Sequence, residues 1–85
     1  MPTVLFILGW RLYFWSNENT EPIHIHAVKG EMECKYYLDI DNFEINEAFC
    51  HNLTKQAKRE IKKIIYEHFD YIVAEWNNHF NQNQL

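Results

Sequence analysis

The chain has 85 residues, enough for one domain, and carries a formal net charge of −4. Hydrophobic residues make up 47% of it and aromatic residues 16%, with only two Gly and two Pro, and this composition excludes an intrinsically disordered chain. No stretch approaches the ~20 apolar residues of a membrane helix, and the overall acidity excludes a general coat for nucleic acid.

The first predicted element is a β-hairpin. Residues 3–8 form an apolar run with β-branched side chains, and residues 10–16 are rich in aromatic side chains. Both compositions are typical of strands. Gly9 lies between the two runs and suits a tight turn, because glycine tolerates positive φ. A polar loop over residues 17–22 then ends the hairpin.

A second hairpin is predicted directly after this loop. Residues 23–28 and 33–40 have the composition of strands, and Gly30 lies in the turn that joins them. Residues 41–53 show no clear period. This segment is ambiguous, and a short turn of helix is the one element that we suggest for it.

The second half of the chain is predicted to be helical. Thr54 is a candidate N-cap, and the apolar residues after it repeat at helical spacing in two sets. The first set is Ala57, Ile61, Ile64, Ile65 and His68, and the second is Phe69, Ile72, Val73, Trp76 and Phe80. On one straight helix the two sets would face directions about 90° apart. We therefore expect two helices, or one helix kinked near residues 68–70.

Together these elements predict an α+β fold, in which an antiparallel sheet of about four strands, made of two hairpins, packs against two C-terminal helices. A single domain should cover residues 1–80, and residues 81–85 should form a frayed tail. The residues expected in the core are Ile25, Tyr36, Leu38, Ile61, Ile64, Ile72 and Trp76.

The second hairpin carries the most informative side chains. Successive strand residues alternate between faces, so His24 and His26 project together. Closing the hairpin about residues 30–31 places His26 opposite Lys35 and His24 opposite Tyr37. Directly opposite side chains have Cβ atoms only ~5 Å apart, so these four residues can touch. We call this set the histidine face: His24, His26, Lys35 and Tyr37.

Two readings of the histidine face need no metal. One is a solvated sheet face without a chemical role, since antiparallel sheets commonly keep one polar face. The other is metal-independent RNA cleavage, with His24 and His26 as acid and base. In that reading Lys35 contacts a phosphate and Tyr37 is an orienting group.

A third reading is a metal site. His24 and His26 supply two ligands, and Glu33 or Glu21 would add a third, whereas zinc needs three or four ligands. Cys34 projects from the opposite face of the strand and does not contribute. The His-x-His pattern alone is a weak signal for metal.

A second candidate site follows Thr54. Five basic residues, here called the basic stripe, recur at i, i+3, i+4, i+7 and i+8: Lys55, Lys58, Arg59, Lys62 and Lys63. On a helix they share one face, opposite the apolar residues, while Glu60 points elsewhere. The stripe is either a solvated helix face or a surface that binds an anionic partner, RNA or an acidic protein.

The remaining motifs are less specific. The aromatic residues Trp10, Tyr13, Phe14 and Trp15 would either stack on nucleobases or, as we expect for most of them, fill the core. We find no secretory signal and expect a cytoplasmic protein. Its two Cys should therefore be free thiols. We expect no cofactor.

The pattern resembles the bacterial family called domain of unknown function 4160, whose members show a strand pair, a Pro-Pro-His-x-His-Val motif, a second hairpin and helices that end near a Trp. The resemblance covers nearly the whole chain. It is carried by Met1-Pro-Thr, Asn17-Glu-Asn-Thr-Glu-Pro-Ile-His-Ile-His-Ala-Val28, Gly30, Lys35-Tyr-Tyr-Leu38, Leu53 and Glu75-Trp76. The chain departs from the family in having Ile23 in place of the second proline and Ala27 in place of valine.

The resemblance implies a small stand-alone bacterial protein and singles out Pro22, His24 and His26. Family members are often encoded beside a domain of unknown function 2442 protein, an arrangement that looks like a toxin–antitoxin pair. We therefore expect a toxin-like component with such an antitoxin as partner, and RNA cleavage on the histidine face as its activity. The alternatives are a non-enzymatic interaction module that uses the basic stripe, and a small metal-binding domain.

Overall fold

A five-stranded antiparallel sheet followed by two helices forms the α+β fold that the sequence predicts, with one strand more than expected. The computed structural model describes residues 3–14 and 21–81. The elements are β1 (Thr3–Ile7), β2 (Trp10–Tyr13), β3 (His24–Lys29), β4 (Met32–Asp39), β5 (Glu44–His51), α1 (Lys55–Glu67) and α2 (Phe69–Asn81). Residues 15–20, which include the predicted end of the second strand, and the predicted tail residues 82–85 lie outside the described residues.

The strands follow one another across the sheet in chain order, β1-β2-β3-β4-β5. The side chains of one sheet face share a single hydrophobic core with both helices. Every residue predicted to lie in the core is buried. Neither described helix has the length and apolar character needed to span a membrane.

Both predicted hairpins have two-residue turns with backbone in the left-handed region. In the first turn φ is 51° at Leu8 and 84° at Gly9, and in the second it is 60° at Gly30. Turns of this kind match the twist of the flanking strands and set their register. The register of the second hairpin is confirmed, because His24 pairs with Tyr37 and His26 with Lys35.

Residues 41–53, which were ambiguous in the sequence, form a turn over residues 41–43 followed by a strand that the sequence did not predict. Residues 44–51 form the edge strand β5, which pairs with residues 33–39 of β4. A β-bulge shifts the register by one residue, since Lys35 pairs with Phe49 whereas Tyr36 pairs with Glu47. Most of the strand is exposed, so no apolar alternation marked it in the sequence.

The predicted helix break is confirmed. The Thr54 hydroxyl accepts a hydrogen bond from the backbone N–H of Ala57 at 3.0 Å and caps α1. His68 ends α1 with φ −113° and ψ 20°, and α2 begins at the next residue. This break turns the second apolar set of the sequence back toward the same core, so Phe69, Ile72, Trp76 and Phe80 are all buried.

Candidate functional site

The histidine face assembles as predicted. The His24 and His26 rings lie 5.4 Å apart at 82°, and the ring of Tyr37 lies 5.8 Å from that of His24. The Lys35 ammonium stands 5.2 Å from the centre of the Tyr37 ring. The geometry of the hairpin therefore brings together all four residues that the sequence singled out.

Three of the four side chains of the histidine face are buried and Tyr37 is half-buried, so the interpretation of this face as a solvated one is wrong. Relative exposure is 0% for His24, 5% for His26 and 9% for Lys35. The His26 ring stacks on Tyr13 at 5.2 Å with 17° between the planes. On the other side Trp76 of α2 lies 5.0 Å from the His24 ring, so the helical layer reaches this face as well.

The orientation of His24 follows from one hydrogen bond. Its Nδ1 lies 2.9 Å from the carbonyl oxygen of Pro22, two residues earlier. A carbonyl can only accept, so Nδ1 carries a proton and donates it. Pro22, the other residue of the family motif, therefore fixes the orientation of the His24 ring and keeps a proton on its Nδ1.

Glu21 holds the rest of the histidine face together. One of its oxygens accepts hydrogen bonds from Lys35 Nζ at 3.1 Å and from the Tyr37 hydroxyl at 3.0 Å. These bonds, that from Lys35 first, hold the pKa of the Glu21 carboxyl below its ordinary value of 4.5, against an opposing effect of burial. The sequence suggested Glu21 only as a metal ligand. Its role as the acceptor of the hydrogen bonds from Lys35 and Tyr37 was missed.

The partners of Lys35 and Tyr37 bear on their predicted roles. Lys35 forms an ion pair with Glu21, and a phosphate would have to share or displace that carboxylate. The Tyr37 hydroxyl donates to Glu21. Both predicted roles, phosphate contact and orienting group, stay predictions.

The metal reading gains no support from the described part of the chain. Among residues 3–14 and 21–81, no three His, Cys, Asp or Glu side chains converge to hold a metal ion. Glu33 pairs with Val28 and His51, whereas the neighbours of His26 across the sheet are Tyr13 and Lys35. Glu33 is therefore one row removed from the histidine pair.

The basic stripe runs along the outer side of α1. Lys55, Arg59, Lys62 and Lys63 are exposed, and Lys58 is half-buried. Lys58 bonds Glu47 of β5 at 3.2 Å, and this bond raises the pKa of the lysine. Lys63 approaches Glu67 at 3.9 Å. Within the described ranges, no ion pair involves Lys55, Arg59 or Lys62.

Glu60 points away from the basic stripe, as predicted. Its carboxylate accepts hydrogen bonds from the Trp10 indole at 2.8 Å and from Lys29 Nζ at 3.4 Å. The Trp10 bond, more than that from Lys29, lowers the pKa of Glu60. Glu60 thus ties α1 to the sheet and leaves the stripe cationic.

A groove of about 370 Å³ adjoins the basic stripe where the β1–β2 turn meets α1. Ile7 and Leu8 line it on the sheet side, and the helix side contributes Arg59 and Lys63 together with two acidic residues, Glu60 and Glu67. Leu8 is 64% exposed. The groove therefore presents an exposed apolar side chain next to charged groups of both signs, a mixture typical of surfaces that contact other proteins.

The aromatic residues of the first hairpin fill the interior. Trp10, Tyr13 and Phe14 are each at most 4% exposed and offer no open face to a nucleobase. Trp15 lies outside the described residues. The predicted core role is therefore confirmed for the three residues that can be described.

Comparison with known proteins places the chain in a family. The family model described as domain of unknown function (DUF4160) matches residues 9–77. This range contains the histidine face and the basic stripe. No curated protein matches the chain, and no solved structure matches it.

Proposed function

The chain belongs to the DUF4160 family, which brings no assigned activity with it, and we propose that it is a non-enzymatic binding module that docks an acidic partner protein on the basic stripe. The observation that carries this proposal is the exposure of Lys55, Arg59 and Lys62, for which the described residues provide no ion-pair partner. Exposed charges of one sign steer an oppositely charged partner to the surface that bears them.

Two features favour a protein over RNA as the partner. Exposed Leu8 lines the groove beside the stripe and offers apolar contact area, which a phosphate backbone does not use. The chain as a whole carries −4, so a polyanion longer than the stripe would meet repulsion from the rest of the surface.

The partner that the family resemblance implies is an antitoxin-like protein of the domain of unknown function 2442 family. In this proposal the chain is the toxin-like component of the pair, and the basic stripe with the adjoining groove is the surface that the antitoxin covers. The role needs no chemistry on the histidine face, whose side chains support the hairpin instead.

Chemical-shift mapping tests the proposal. The ¹⁵N-labelled protein would be titrated with a recombinant domain of unknown function 2442 protein and, separately, with a fluorescein-labelled single-stranded RNA. We expect the protein partner to shift the amides of α1 and of the β1–β2 turn, with Arg59 and Leu8 among the largest changes. The amides of β3 should move little.

The RNA arm of the same titration separates the two classes of partner. Saturable shifts on α1 with RNA, and none with the protein, would replace the acidic-protein reading by an RNA-binding one. Shifts centred on His24 and His26 with either probe would contradict the proposal, because the histidine face would then be the binding site.

RNA cleavage is a second candidate function, favoured by one observation. His24 and His26 are in ring contact at 5.4 Å beside the Lys35 ammonium, which is the equipment that acid–base cleavage of a phosphodiester needs. Overexpression should then arrest growth, and the paired replacements His24→Ala and His26→Ala should relieve the arrest. A folded double variant that is equally toxic would exclude catalysis by these histidines.

A further inference from the structure

Two cysteines far apart in sequence lie directly opposite each other in the sheet. Cys34 of β4 is the cross-strand partner of Cys50 of β5, and both are free thiols. Partners in antiparallel strands have Cα atoms ~4.5–5.5 Å apart, within the ~4.4–6.8 Å that a disulfide spans. The two side chains point to the same sheet face, so a bond between them needs no change of register.

The two cysteines differ in burial. Cys34 is fully buried, whereas Cys50 is half-buried on the edge strand, with its sulfur 3.4 Å from the Tyr36 hydroxyl. The β-bulge two residues before Cys50 interrupts the ladder between β4 and β5. A bulge allows local adjustment of the strand, which helps the Cβ atoms close from ~5 Å to the ~4 Å of a disulfide.

We propose that Cys34 and Cys50 are a reversible cross-linking site, at which a small-molecule disulfide such as oxidised glutathione installs a bond between β4 and β5. The half-buried Cys50 reacts first and the buried Cys34 resolves the intermediate. The inference does not depend on the proposed partner, because it uses residues on the sheet rather than the basic stripe.

The chemistry balances in two exchange steps. The Cys50 thiolate attacks one sulfur of oxidised glutathione, which forms a mixed disulfide and releases one glutathione thiolate. The Cys34 sulfur attacks the Cys50 sulfur, releases the second glutathione thiolate, and passes its proton to that departing thiolate. The two released thiolates take up the two protons, so two protein thiols are oxidised and one small disulfide is reduced to two thiols.

The order of the steps is supported by the surroundings of Cys34. Burial, assisted by the neighbouring Cys50, raises the pKa of the Cys34 thiol. A thiol of this kind is a poor first nucleophile toward a reagent in solution. It can still act on a sulfur that is already held beside it across the strand pair.

Intact-mass measurement on the folded protein tests the proposal. After incubation with oxidised glutathione, the wild type should lose the mass of two hydrogen atoms and retain no glutathione. Trypsin cuts after Lys29, Lys35 and Lys55, so the non-reduced digest should contain peptide 30–35 linked to peptide 36–55. A reducing agent should restore both thiols.

Single replacements distinguish the two roles. Cys34→Ala should trap a stable glutathione adduct on Cys50, because the resolving thiol is gone, and Cys50→Ala should stay unmodified over the same time. Two results would overturn the proposal. The first is that the folded wild type keeps the glutathione adduct, or keeps both free thiols, under conditions in which the urea-unfolded chain is oxidised. The second is that Cys50→Ala is modified as fast as the wild type.

Discussion

Among single residues, Glu21 decides how the polar side chains of the histidine face are held. Lys35 is 9% exposed, and a buried ammonium is costly unless an opposite charge compensates it. The Glu21 carboxylate provides that charge and also accepts from Tyr37. Two residues of the histidine face therefore depend on a third residue that lies outside it.

This dependence predicts a specific response to acid. The folded pKa of Glu21 is lowered, so its contribution to stability is present above the unfolded value of 4.5 and is lost as pH falls through the folded pKa. Melting temperatures measured across pH should show Glu21→Gln less stable than wild type at neutral pH, with the two converging in acid. The pKa values of the Asp39 and Glu60 carboxyls are also lowered. Both proteins contain these two groups, so their effects cancel in the difference between the two melting temperatures. A constant gap at all pH values would show that the charge of Glu21 plays no part.

His24 is the second residue with a measurable role in stability. His24→Ala removes a fully buried ring that packs on Trp76 and donates to the Pro22 carbonyl. Loss of a buried ring leaves a cavity, and we expect a cost of about 3 kcal/mol in the free energy of unfolding. Urea denaturation measures it, with exposed His51→Ala as the matched control, expected within about 0.5 kcal/mol of wild type. Equal stability of the two variants would mean that the histidine face does not support the fold.

Some helices and strands begin and end where short sequence signals predict, whereas β5 is determined by its pairing with the rest of the sheet. The Thr54 cap and the break at His68 follow from short-range signals and were predictable. The second hairpin was predictable down to its register, because a two-residue turn at residues 30–31 fixes the pairing. β5 was not, since it is held to β4 by backbone bonds while most of its side chains stay exposed.

A cap replacement tests how far α1 depends on its local signal. Thr54→Ala removes the acceptor of the Ala57 N–H and should cost about 1 kcal/mol, whereas Thr54→Ser keeps the hydroxyl and should cost little. Thermal unfolding followed by circular dichroism compares the two variants. If both lose the same stability, the hydroxyl bond is not what caps the helix.

For the histidine face, sequence reasoning had a clear limit. The period of two assigned His24, His26, Lys35 and Tyr37 to one face correctly. It carried no information about what covers that face, so its burial and the contact with Trp76 of α2 emerged only from the fold. Glu21 was missed for the same reason, because a loop residue has no strand register that would place it beside Lys35.

Across the whole molecule, charge is segregated rather than balanced. The chain carries a net charge of −4, yet residues 55–63 contain five basic residues and one acidic residue. That acidic residue, Glu60, accepts hydrogen bonds from Trp10 and Lys29 of the sheet. An acidic protein with one cationic helix face should attract an acidic partner to that face.

We expect the association rate with such a partner to fall as salt rises from low to physiological ionic strength, measured by stopped-flow fluorescence. A rate independent of salt would argue that apolar contact alone drives the encounter.

The most direct test of the binding-module account is the affinity of two charge-matched variants for the domain of unknown function 2442 protein, measured by isothermal titration calorimetry. Arg59→Gln with Lys62→Gln removes two positive charges from the basic stripe, and Ala74→Glu with Asn77→Glu adds two negative charges at the same spacing on exposed positions of α2. We predict that the first pair weakens binding about tenfold or more, equivalent to about 1.4 kcal/mol, and that the second pair changes it less than about twofold at physiological salt. Equal losses in both variants, or no loss in the first, would contradict the assignment of the basic stripe as the binding surface.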